Sequence, residues 1–129
     1  MPLTSDDALA LSKSFRDLSA AITDYRLKNS STLSEPDRKA LEEKEWALLN
    51  ASSDMVTKAV GLTLDESDAA ARKVQGAAAT AEKAVKTLKE VRKVITIATA
   101  SVGLAAAIAS KDPGAIAKNA KAVLDAATS

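Results

Sequence analysis

The sequence predicts an all-α protein, an antiparallel bundle of four helices, three long and one short at the C-terminus. Three observations predict it. Ala, Leu, Lys and Glu, all strong helix formers, dominate a chain of 129 residues that holds only three Pro and four Gly. Apolar residues recur at spacings of three and four, and alternating β-branched runs are nearly missing. The breaks between periodic segments carry capping residues: Ser, Thr or Asp before a helix, and Gly or Pro at its ends. The length fits a single domain, residues 1–129, large enough to bury a core without disulfides.

The first helix is expected from about Ser5 to Lys28. Ala8, Leu11, Phe15, Leu18, Ile22 and Tyr25 form a heptad seam of the kind that bundles and coiled coils bury. Asp6 and Asp7 suit the positive end of the helix dipole. The stretch NSSTLSEP then reads as a loop. Ser34 with Asp37 resembles a capping box, Pro36 fits the first turn, and Leu33 is placed to act as a hydrophobic staple.

The second helix is expected from about Glu35 to Val60, with Leu41, Leu48, Ser52, Met55 and Ala59 as its inward stripe and Gly61 as its stop. Trp46 lies roughly 120° around the helix from that stripe, taking 100° per residue. It either covers a helix boundary or stands out as an anchor for a partner, a role in which Trp is enriched. In GLTLDESD, Thr63 and Glu66 fit a second capping box. The carboxylates there lack the Gly and Glu spacing of a Ca²⁺ loop.

The third helix is expected to run from about Asp65 to Ala109, with any break or kink near Gly103. Val74, Ala77, Ala81, Ala84, Leu88, Val91 and Ile95 share one face; Lys86, Lys89 and Lys93 form a basic face opposite. Asp112 and Pro113 then start a fourth helix, about Gly114 to Ala126, with Ile116, Ala120, Val123 and Leu124 inward.

Composition excludes much chemistry. With no His and no Cys, serine and cysteine triads, thiolate metal sites and histidine-based zinc or di-iron sites are all ruled out. No glycine-rich phosphate loop exists, since the four Gly are dispersed. A non-enzymatic protein is expected, without metal, cofactor or small-molecule substrate. The net charge is +1, yet residues 1–68, with 8 basic and 13 acidic side chains, carry −5, and residues 69–129, with 10 and 4, carry +6. Acidic early helices packed beside basic late ones explain that split; nucleic acid is the weaker explanation, because the basic stretch has no aromatics for stacking. The start MPLTSDDALA has two Asp where a signal peptide has Lys or Arg, which favours a cytoplasmic location and leaves secretion without a signal open.

The stretch VITIATASVGLAAAIAS, from Val94 to Ser110, has no charge and is apolar on both sides. Such a helix must be covered all round. Three environments do that: its own bundle, another copy of the chain or another helical protein, and a bilayer. As a membrane element it is short, about 26 Å against a hydrocarbon core of about 30 Å. The expected function is a helical protein–protein interaction or assembly module that self-associates through Ile97, Ser101, Leu104 and Ile108, with Trp46 as a second anchor. The alternatives are a membrane-active protein that inserts residues 94–123 as a hairpin, and an adaptor or chaperone for a secreted partner.

Overall fold

The computed structural model describes residues 5–58, 67–87, 90–110 and 113–128. They form five helices: α1 Ser5–Lys28, α2 Glu35–Lys58, α3 Ser67–Thr87, α4 Val91–Ser110 and α5 Pro113–Thr128. The protein is an all-α helical bundle. Around it the neighbours run α1, α2, α4, α5, α3 and back to α1. Each helix therefore turns its apolar stripe inward between two flanking helices.

The α1 seam is buried as its spacing implies, with Leu11, Phe15, Leu18 and Ile22 all without solvent contact. The α1–α2 loop closes on Asn29. Its backbone N–H donates to the Tyr25 carbonyl at 3.1 Å, and its own carbonyl accepts from the Thr32 and Leu33 amides at 3.0 Å each. Ser34 caps α2: its hydroxyl oxygen accepts the Asp37 amide at 3.3 Å, three residues on, as an N-cap does. Leu33 is buried beneath the turn. The Thr63–Glu66 box, Gly61 and the Asp112 cap lie outside the described residues.

The expected long third helix is two helices. α3 ends at Thr87 and α4 begins at Val91, and the two share only slight contact although consecutive. The reason is phase. Val74, Ala77, Ala78, Ala81 and Val85 are the buried face of α3; Val94, Ile97, Ala98, Ser101, Leu104, Ala105 and Ile108 are that of α4. Val85 and Val94 are nine residues apart, about two and a half turns, so on one continuous helix they would point in opposite directions. A break between them brings both faces inward. Val91 and Ile95, expected to continue the α3 stripe, are only partly buried.

Gly103 does not break the chain, since α4 runs through it. It permits a close crossing instead: a Cβ there would lie 3.0 Å from Asn119 Oδ1 on α5. Asn119 is held in place by its Nδ2 donating to the Ala115 carbonyl at 2.7 Å. Gly76, by contrast, is exposed on α3, and a methyl group added to it would meet nothing within 4 Å.

These two glycines give opposite expectations. Gly76→Ala raises the unfolding free energy by about 1 kcal/mol, the helix-propensity difference. Gly103→Ala gains less, because Asn119 must give way, and adding Asn119→Ala recovers the difference. Urea unfolding of the three variants measures it.

Candidate interaction surface

The α1–α2 hairpin is joined by a buried polar ladder. Ser12 and Ser52 clasp each other: the Ser12 hydroxyl donates to the Ser52 carbonyl at 2.9 Å, and the Ser52 hydroxyl to the Ser12 carbonyl at 2.8 Å. Two turns on, the Ser19 hydroxyl donates to the Glu45 carbonyl at 3.0 Å. At the next rung Glu45, only 6% exposed, accepts from Arg26 Nε at 2.7 Å and Nη2 at 3.1 Å, and from the Thr23 hydroxyl. Arg26 Nη1 also reaches Glu42 at 3.4 Å. The hydrogen bond to Glu45 is the main cause holding the guanidinium pKa above its ordinary value. Among the described residues no buried side-chain N or O lacks a partner.

Steps of seven along α1 match steps of seven backward along α2, so the helices are antiparallel in one register. Sequence reasoning missed this ladder. Its signal was present: Ser12, Ser19 and Arg26 recur every seventh residue beside the apolar seam, and Glu45 and Ser52 are seven apart on α2.

The register also defines the outer face of the hairpin. On α2, Leu41, Glu45, Leu48 and Ser52 point inward, which leaves Trp46 outside at 67% exposure, with Leu49 beside it at 39%. On α1, Leu9 and Leu27 are 55% and 60% exposed. They are about five whole turns apart and point the same way, over the α2 side of the helix, where Ser12 and Ser19 also project. Four of the five large exposed hydrophobics among the described residues thus lie on this hairpin; the fifth, Leu124, is on α5.

The expected α4 seam is elsewhere. Ile97, Ser101 and Leu104 have no solvent contact and Ile108 almost none. α4 packs against α2 and α5, so the stripe expected to face outward is core, while Ile95 and Val102 on its other side are only partly buried. Ser101 satisfies its hydroxyl within its own helix, on the Ile97 carbonyl at 2.8 Å, and so fits an apolar interior. Only a narrow strip of α4, including Thr96, Thr99 and Ala106, is exposed. The helix is nonetheless apolar enough to cross a membrane by length and composition, at a mean hydropathy of 1.6 over Val91–Ile108.

Of the basic face, Lys86 and Lys93 are exposed, and Lys89 lies outside the described residues. Lys86 Nζ pairs with Glu82 at 2.9 Å. That hydrogen bond, with the Glu82 charge and the more distant fields of Asp17 and Asp24 on α1, raises its pKa. The basic α3 thus packs beside acid-bearing α1. Among the described residues no three carboxylates gather as a metal cage.

No protein-family model matches the chain, and no curated protein or solved structure matches it.

The ladder predicts unequal costs. Arg26→Met strands a buried carboxylate and destabilises the fold by about 3 kcal/mol, while Glu45→Gln, which keeps one acceptor oxygen and leaves the charge on the more exposed Arg26, costs less. Combining Arg26→Met with Glu45→Leu restores much of the loss. A double-mutant cycle in urea reads the coupling.

Proposed function

We propose that the protein is a non-enzymatic helical interaction module whose contact surface is the outer face of the α1–α2 hairpin. The observation that carries this reading is Trp46. It is the only Trp in the chain, and it stands 67% exposed on a rigid helix with Leu49 beside it. Aromatic side chains held in this way supply large buried area at small entropic cost, and Trp is enriched among the residues that dominate binding energy. The polar ladder beneath keeps the two helices from shifting, so the face is preformed. This reading moves the assembly surface from α4 to the hairpin, because Ile97, Ser101, Leu104 and Ile108 are occupied by the protein's own core.

A second reading rests on α4. A 20-residue helix without charge after Lys93 is the element of this fold best suited to a bilayer. It requires the bundle to open, with α4 and α5 leaving α2 and α3. Vesicles of anionic and of neutral lipid distinguish it: co-flotation that depends on anionic lipid supports insertion, and recovery of the protein in the lipid-free fraction from both removes it.

The interaction reading is tested by a photo-crosslinking residue at position 50 in cells, exposed one turn from Trp46 on α2, with position 99 on the exposed strip of α4 as control. A discrete protein adduct from position 50, lost on Trp46→Glu, and none from position 99 is expected. Equal labelling at both positions, or none, sinks the reading. Charge reversal at Lys86 and Lys93 is expected to leave the adduct unchanged, since those lysines are read as a solvated face.

A further inference from the structure

Resting on the reading of the α1–α2 face as a contact surface, we infer that its partner is a second copy of this chain, related by a two-fold axis that passes beside Trp46. Three features point to this.

The first is symmetry of spacing. The rungs Ser12–Ser52 and Ser19–Glu45 place Trp46 at the level of Leu18 on the neighbouring helix. Leu9 and Leu27 lie nine residues to either side of that level, about 14 Å each way, and at the same helical phase. Leu9 and Leu27 on α1 are therefore spaced evenly about the level of Trp46 on α2, with Leu49 three residues beyond Trp46. A two-fold axis at that midpoint, in the plane of the face and across the helices, sets α1 antiparallel on α1 of the second copy and α2 on α2. It brings Leu9 of each copy against Leu27 of the other, and Trp46 against Trp46. Isologous contacts of this kind pair one patch with itself. The even spacing of Leu9 and Leu27 about Trp46 suits such a contact.

The second feature is charge. The same operation carries Lys13 to the level of Thr23, one residue, or about 1.5 Å along the axis, from Asp24. Lys13 and Asp24 are both exposed on the side of α1 away from α2, so each Lys13 meets Asp24 of the other copy, twice per dimer. Lys13 Nζ also contacts Asp17 of its own helix at 2.6 Å, and an ammonium has three N–H donors to share between them. Opposite charges thus flank the apolar centre on both sides.

The third is size. α1 and α2 are 24 residues each, about 36 Å long, and packed side by side they present about 700 Å². Two copies bury roughly 1,400 Å² in total, inside the range of specific stable interfaces.

The test is the oligomeric state of the full chain, by sedimentation equilibrium and light scattering up to about 1 mM. Wild type is expected to dimerise. Trp46→Glu weakens the dimer by at least about thirty-fold, as loss of a central anchor does. Its circular dichroism stays at the wild-type value, and its urea midpoint matches wild type at concentrations where both are monomeric, because the side chain is outside the core. Lys13→Glu also weakens the dimer, and Lys13→Glu with Asp24→Lys restores it, since the swapped charges again face each other across the axis. A monomer at every concentration overturns the proposal. So does a dimer indifferent to Trp46→Glu, or a charge swap that fails to rescue. The crosslink from position 50, which leaves Trp46 in place, separates the two ideas. An adduct with a different protein leaves the face a contact surface and removes the second copy; no adduct removes both.

Discussion

Glu45 has left water almost entirely, and the guanidinium that compensates it is on another helix. That constraint organises the hairpin. An isolated buried carboxylate costs several kcal/mol, so the state in which Arg26 and Thr23 reach it is strongly preferred over any slipped alternative. Apolar seams alone tolerate a slip of one heptad, because Leu against Phe is nearly as good as Leu against Leu. The ladder does not: a slide of seven residues sets Ser12 opposite Glu45 and leaves Arg26 without its acceptor. Hydroxyl rungs at Ser12, Ser19 and Ser52 also draw the two backbones close, since each small side chain bonds directly to the facing helix.

The rest of the bundle is arranged on that fixed pair. α3 covers α1, α4 covers α2, and α5 closes the gap between them. The chain reaches both flanks of the hairpin only by inverting its buried face between Val85 and Val94, which a continuous helix does not allow. The break is thus required by geometry, even though the local composition favours helix throughout. Close packing at the far side depends on Gly103, where α4 admits the Asn119 amide of α5. The most apolar of the five described helices thus has its main stripe in the core, while Leu9, Leu27 and Trp46 stand outside on the hairpin that the ladder joins.

Much of this was legible in the sequence. The all-α class, the α1 seam from Leu11 to Tyr25, the Ser34 cap and the start of α5 near Pro113 follow from periodicity and capping, which are local properties. Of the expected pairing of acidic early helices with basic late ones, Lys86 of α3 lies within the field of Asp17 and Asp24, while α1 as a whole carries as many basic as acidic residues. Two features were not legible. The break before Val91 was expected near Gly103, because glycine is a visible breaker whereas a half-turn phase shift shows only when the buried positions are counted through. The stripe Ile97, Leu104 and Ile108 was expected to face outward, because an apolar side looks the same whether α2, α5 or a second molecule covers it.

The sequence by itself determined which segments are helical and which residues must leave water, since both depend on neighbours three or four positions away. Tertiary structure alone decided what covers them. Whether Trp46 borders the core or stands in solvent depends on where α1 lies against α2, and that depends on Arg26 reaching Glu45 across 19 positions of sequence. A seven-residue spacing of polar residues marks each helix, but which rung meets which is set across the fold, so the exposed face of the hairpin emerges only when the register is known.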